Sequence, residues 1–218
     1  MNRMRRCLRH GGSTLLLLAL AGCALPGKSS STFVNAQVES AYIPLYRLDL
    51  HLHRIQQAAA VMIAPNLAVT NLHNYLLIPK EQIVVRSRDF DLLFFRIDRA
   101  VAPEIARPHV GEKVIAYGQH GPFGLTERRE AEGVIREIDA QLPPECPECA
   151  RQAVIGYDAD AGTGFSGGPV VDAASGALVG VTVAFERGKG EDGGTRMYAY
   201  DVDLVIAEMR RLLEAAAR

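Results

Sequence analysis

Gly162-Thr163-Gly164-Phe165-Ser166-Gly167-Gly168-Pro169 is the stretch on which the reading of this chain turns. A serine set among glycines on a tight turn is presented by the backbone. Glycine has no Cβ, so it tolerates positive φ and lets another group come close. Successive N–H groups in such a turn converge on one concavity and can hold a developing oxyanion. Val170-Val171 open a strand directly behind it. A plain turn between strands would use the same glycines, so the stretch acquires chemical meaning only together with two others.

Those are Val69-Thr70-Asn71-Leu72-His73 and Asp89-Phe90-Asp91-Leu92-Leu93-Phe94. Along the chain the order is histidine, aspartate, serine, and triads on unrelated folds occur in different orders. Gly164-Phe165-Ser166-Gly167-Gly168 also fits the G-x-S-x-G elbow of α/β-hydrolases, in which the histidine follows the serine. The six histidines are at 10, 51, 53, 73, 109 and 120, so none follows Ser166 and the elbow is excluded. The order of subtilisins, aspartate before histidine, would need Asp49, and no helix-opening serine motif supports it.

Taken together, the three segments resemble the trypsin/chymotrypsin-fold serine peptidases, and among them the bacterial HtrA-like (DegP-like) branch. The matching residues are Ala60-Val61-Met62-Ile63-Ala64-Pro65 with Thr70-Asn71-Leu72-His73, Asp91 to Ile97, Gly111 to Gly118, the Ser166 turn, and Gly176 to Val181. The resemblance covers about residues 55 to 213. It implies an all-β fold of two six-stranded antiparallel β-barrels with a C-terminal α-helix. It also implies His73 as general base, Asp91 as its orienting acid and Ser166 as nucleophile. The N–H groups of Gly164 and Ser166 would form the oxyanion hole, no metal or cofactor is called for, and the substrate is a protein or peptide. Asp89 lies two residues from Asp91 on the same strand face and remains the alternative acid. Asp160, six residues before Ser166, stands where trypsin-like enzymes place a specificity carboxylate, although a surface aspartate fits equally. Thr182, Val183 and Ala184 should line the pocket and pair with the substrate backbone by strand addition.

Two departures from the family pattern stand out. Only 18 residues separate His73 from Asp91, which implies a trimmed hairpin in the first barrel. Phe165 occupies a position where family members commonly carry Asp or Asn; it either leaves the oxyanion turn unformed at rest or docks into the barrel wall.

The N-terminus reads as a leader. Arg3, Arg5, Arg6 and Arg9 form a basic region, and the leucine-rich run Thr14 to Ala21 is too short to span a membrane. Leu20-Ala21-Gly22-Cys23 resembles a lipobox, making Cys23 the acylated first residue of the mature chain. Residues 1–22 hold four of the 24 basic residues and no acidic one, so the remainder carries 20 against 25, a net −5. That balance gives no sign of nucleic-acid binding. Ala24 is not the aspartate associated with inner-membrane retention, so the resemblance implies a periplasmic protein lipid-anchored to the outer membrane of a Gram-negative bacterium. The domain plan is therefore a signal peptide (1–22), an acylated cysteine and tether (23–35, with Pro26 to Thr32 flexible), and a peptidase domain (36–218). Within the domain, the barrels are expected at about 36–105 and 110–200, and the helix at about 201–217. The family usually continues into PDZ domains, for which this chain leaves no room. Oligomeric state is not legible.

Strands are expected around Tyr42–His53 and over Ala58–Ile63, Leu67–Thr70, Gln82–Arg86, Leu92–Ile97, Lys113–Tyr117, Val154–Tyr157, Val170-Val171, Ala177–Phe185 and Met197–Tyr200. Arg128–Asp139 reads as a strand pair or one bent strand, with a short helix also open. Val202, Val205, Ile206, Met209, Leu212 and Leu213 recur at helical spacing behind an Asp201 N-cap. Cys146-Pro147-Glu148-Cys149 supplies at most half of a zinc site, and an oxidising compartment favours a Cys146–Cys149 disulfide. His51 and His53 share a strand face but have no evident third ligand. Two functions fit the whole: a membrane-tethered periplasmic serine endopeptidase, and a non-catalytic lipoprotein that keeps the fold as a protein-binding module.

Overall fold

The computed structural model describes residues 25–49, 54–121, 126–143 and 154–218. A short strand β1 (Lys28–Ser29) and a six-residue helix α1 (Ala36–Ala41) come first. Asn35 caps α1 by accepting from Val38 N–H at 2.8 Å. Nothing in the sequence announces α1, because so short a helix leaves no periodic pattern. Then follow β2 (Tyr42–Asp49), β3 (Arg54–Ala64), β4 (Leu67–Thr70), β5 (Ile83–Arg86) and β6 (Leu93–Arg96), in the antiparallel order β2-β3-β4-β6-β5. Ala58 to Ile63 of β3 is buried throughout, so both faces of that strand are covered. Asn66 makes the β3–β4 turn at φ 61, a left-handed conformation that asparagine tolerates.

The second half comprises β7 (Lys113–His120), β8 (Glu127–Glu137), β9 (Val154–Ala159), β10 (Pro169–Asp172), β11 (Leu178–Arg187) and β12 (Thr195–Asp201). Their order is β8-β7-β10-β11-β12-β9, and β9 pairs back onto β8 to close a six-stranded barrel. The Arg128–Asp139 region is one bent strand, with its register shift between Ile135 and Glu137 and no helix.

Among the described residues, only this second half closes into a barrel. The first half, expected as another six-stranded barrel, is an open five-stranded sheet among the described residues, with no β2–β5 pairing. The short His73–Asp91 interval explains the difference. It holds two 3₁₀ turns (72–77 and 80–82) and the single strand β5, too little chain for a complete hairpin. One hydrophobic core nevertheless runs through both halves, from Val61 and Phe94 to Tyr117, Val181 and Tyr200. The helix α2 (Val202–Ala216) is capped by the Asp201 carboxylate, which accepts from Asp203 N–H at 2.7 Å. It packs on β11, β12 and β5 and so ties the two halves together.

The expectation of a flexible Pro26–Thr32 gives way over part of its length. β1 pairs with β8, Lys28 opposite Glu130 and Ser29 opposite Arg129. Serine-rich composition signals freedom, but the partners that grip this segment lie about a hundred residues away in sequence.

Candidate active site

Thr70 at the end of β4 pairs with Leu93 at the start of β6. The residues just past one strand and just before the other therefore meet. His73 Nδ1 lies 2.6 Å from Asp91 Oδ2, and the His73 backbone N–H donates to Asp91 Oδ1 at 2.9 Å. Asn71 Nδ2 donates to the Asp91 carbonyl at 3.1 Å, and the Asp91 N–H donates to the Tyr200 hydroxyl at 3.2 Å. Burial, and then the Asp91 charge, push the Tyr200 phenol well above its ordinary range, so it stays neutral. The Asp91 side chain is 4% exposed and that of His73 46%, which leaves one edge of the imidazole open. A carboxylate on Nδ1 selects the tautomer in which Nε2 is free to accept a proton. Asp89 points elsewhere: its carboxylate is 2.9 Å from the Arg211 guanidinium and 61% exposed.

The serine turn belongs to the barrel and reaches across to the sheet. Gly167 has φ 78, and a Cβ there would fall 2.1 Å from Thr70 Oγ1, so only glycine lets the halves approach this closely. Two donors from the sheet hold the Ser166 carbonyl, Ala59 N–H at 3.0 Å and Asn74 Nδ2 at 3.2 Å. Asn74 Nδ2 is also 3.0 Å from Thr70 Oγ1, so this side chain next to His73 bridges both halves. The N–H groups of Phe165, Gly167 and Gly168 are committed to the carbonyls of Gly162, Thr182 and Phe165. Those of Gly164 and Ser166 have no acceptor among the described residues. A serine's own N–H and that of the residue two before it, left free together, can donate to negative charge on a substrate oxygen. Phe165 itself is fully buried in the barrel core, the second of the two outcomes open to it.

His73 and Ser166 line two recesses, of about 480 and 330 Å³. Val183, Ala184 and Phe185 form a wall of the larger, where the register between β11 and β12 slips at Val183. Such a bulge re-aims side chains beside a site. Thr182 is different: its hydroxyl turns inward to the Tyr157 hydroxyl at 3.0 Å, and its backbone holds Gly167 and Gly168. Asp160 is exposed and lines neither recess, because Ala159 and Ala161 on either side of it are the buried ones. The charged residues of the larger recess are Glu186, which accepts from the Tyr198 hydroxyl at 2.5 Å, and Arg187. Asn74, Tyr200 and Glu186 belong to no motif and were invisible in the sequence. Among the described residues, the Ser166 hydroxyl makes no hydrogen bond. Cys23, Cys146, Cys149, His51 and His53 lie outside the described residues.

A family profile described as a trypsin-like peptidase domain matches residues 58–181, a range that includes His73, Asp91 and Ser166. No curated protein matches the chain. Among solved structures, the HtrA-type protease AlgW with tripeptide is 22% identical at a TM-score of 0.65, over 84% of this chain and 63% of that one. The Rv3671c protease from M. tuberculosis in its active form is 16% identical at 0.61, over 97% and 94% of the two chains. The MamO protease domain from Magnetospirillum magneticum, apo form, is 18% identical at 0.55, over 69% and 86%. The chain thus spans about three-fifths of the HtrA-type proteases it matches, and at these identities the likeness is one of fold.

Proposed function

This chain belongs to the trypsin-like peptidase domain family, and we propose that it is a serine endopeptidase acting through His73, Asp91 and Ser166. The observation that carries the reading is the Asp91 carboxylate on His73 Nδ1, at the mouth of a cleft that Ser166 also lines. His73 Nε2 takes the Ser166 hydroxyl proton as Oγ attacks the scissile carbonyl. The oxyanion is held by the N–H groups of Gly164 and Ser166. The imidazolium then gives its proton to the leaving amine, and water, deprotonated in turn by His73, hydrolyses the acyl-enzyme. Val183 and Ala184 lie beside Ser166 on a strand edge that suits an extended peptide.

The reading extends to an HtrA-like enzyme held in the periplasm by acylated Cys23 and facing the periplasm from the outer membrane, with Cys146 and Cys149 joined as a disulfide. Its support is the leader sequence, and metabolic palmitate labelling that is lost in Cys23→Ala tests the anchor.

A fluorophosphonate should label the wild type and not Ser166→Ala. If the wild type is inert to the reagent and to unfolded protein, while Ser166→Ala complements a deletion fully, the enzyme reading falls and a protein-binding module replaces it.

A further inference from the structure

The segment just after Cys23 lies against the back of the serine turn. β1 sits on the outside of β8. Arg129, whose side chain is only 9% exposed, spends its guanidinium on this segment. Nε donates to the Pro26 carbonyl at 3.1 Å, a second nitrogen donates to the Gly27 carbonyl, and the third holds Glu127 at 2.6 Å. Arg128 donates to the Ser30 carbonyl at 2.6 Å and stacks 3.8 Å from the Phe33 ring centre. A buried guanidinium with its donors on backbone carbonyls fixes a chain segment in place.

What this segment covers is Phe165. A Cβ on Gly27, which has φ 68, would lie 2.8 Å from Phe165 Cζ, and one on Gly118 would lie 2.6 Å from Phe165 Cγ. The ring is therefore clasped between two glycines, one from the N-terminal segment and one from β7. Pro26 also approaches Gly162, at 3.5 Å from the Cβ position there. Phe165 is the residue between Gly164 and Ser166, whose N–H groups are the two left free. Wherever the ring goes, those two donors must follow.

We propose that residues 25–30 are a strap that sets the serine turn, with Gly27 and Arg129 as positioning residues acting through Phe165. The proposal rests on the endopeptidase reading. The strap begins two residues after Cys23, so a chain anchored at that cysteine carries its active-site support next to the anchor. Loss of the strap leaves the substrate cleft intact and disturbs the donors that act in the transition state. Its signature is a fall in kcat at nearly constant KM.

The test uses the full chain. Gly27→Val crowds Phe165 and strains the backbone; Arg129→Gln releases the two carbonyls; Arg129→Lys keeps the charge and part of the grip. Each is melted to establish its folded fraction, then assayed for phosphonylation of Ser166 by a fluorophosphonate and for casein cleavage. We expect both disruptive variants to lose roughly ten- to a hundredfold in phosphonylation rate and kcat, a partial form of the about hundred- to thousandfold cost of removing an oxyanion donor. KM should stay within about twofold, and Arg129→Lys should fall between wild type and Arg129→Gln. Phosphonylation of the folded variants at the wild-type rate overturns the strap, as does a rise in KM with kcat unchanged. Hydrogen exchange on the wild type gives a reading that needs no variant. Coupling is reciprocal, so phosphonylation of Ser166 should slow exchange over 25–30 as well as over the serine turn. Unchanged exchange over 25–30 also overturns the proposal. A wild type that reacts with no fluorophosphonate at all defeats the enzyme reading instead, which keeps the two failures apart.

Discussion

The two walls of the cleft are built by opposite means. On the sheet side, polar side chains do the fixing: His73 and Asn71 hydrogen-bond to Asp91, and Thr70 donates to the Ala59 carbonyl, all within or next to two paired strands. On the barrel side, a turn in which half the residues are glycine brings no polar side-chain network of its own: its backbone is hydrogen-bonded to Ala59, Asn74, Gln119 and Thr182. The rest of its shape comes from close packing against Thr70, Tyr117 and the Phe165 ring, which a remote segment holds down. A hydrogen-bonded wall is robust to small shifts and sensitive to loss of a specific atom. A packed wall is indifferent to most polar changes and sensitive to volume. The contrast predicts different failures on each side.

The largest effects should come where the walls act as one device. Ser166→Ala and His73→Ala should each remove activity by roughly six orders of magnitude, and the double variant should be no worse than either, because nucleophile and base function as a unit. Single-turnover cleavage of a peptide ester would measure it. Losses that multiply in the double variant would mean the two residues act in separate steps.

Next comes the polar wall alone. Asp91→Asn should keep the geometry, favour the wrong imidazole tautomer and cost about four orders of magnitude in kcat. Asp89→Asn should cost little, since Asp89 only meets Arg211 at the surface and exposed pairs contribute about 0–1 kcal/mol. The two rates, measured side by side, reverse if the sequence's alternative acid is the working one.

The same contrast explains what was legible. The polar wall was readable because its residues sit in short motifs at strand ends, where the identity of a residue and its place coincide. Asp91 could be preferred to Asp89 only because it directly precedes the apolar run Leu92–Phe95. The helix α2 was readable from its period and from Asp201. The packed wall was not readable. Nothing in Pro26-Gly27 announces a partner at Phe165, and nothing in Arg129 announces Pro26, because these contacts span more than a hundred residues. The missing barrel closure was half legible: 18 residues between His73 and Asp91 warned of a trimmed hairpin, but not that the sheet would stay open. Asp160 stayed open between a specificity carboxylate and a surface aspartate, because sequence distance from a serine does not fix the side of a strand end on which a carboxylate emerges.

The smallest effect concerns the brace behind the polar wall. Glu208 on α2 is 4% exposed, accepts from the Ser87 hydroxyl at 2.5 Å and takes two hydrogen bonds from Arg211 at 2.7 Å. The Ser87 hydroxyl in turn accepts from Asp89 and Phe90 N–H at 3.1 and 2.9 Å, just ahead of Asp91. The hydrogen bonds from Arg211, and then that from Ser87, hold the Glu208 carboxyl below its ordinary value. A folded-state value below the unfolded one means stabilisation that is present above about pH 4.3 and lost as pH falls through the lowered folded value. Glu208→Gln keeps the shape and removes that ionisation. At pH 7 the variant should melt a few degrees lower, since each kcal/mol is worth about 2–4 °C in a chain of this size. Below the folded-state value the gap should shrink, because the wild-type carboxyl is then protonated too. Comparing the two proteins at each pH cancels the exposed carboxylates, whose shifts both share. Activity at pH 7 should change by no more than about threefold, the brace touching Asp91 only through the backbone that precedes it. A melting gap that is the same at every pH would mean that Glu208 contributes packing and no charge. A gap that widens in acid would reverse the sign of the linkage and remove the brace from the account of how Asp91 is held.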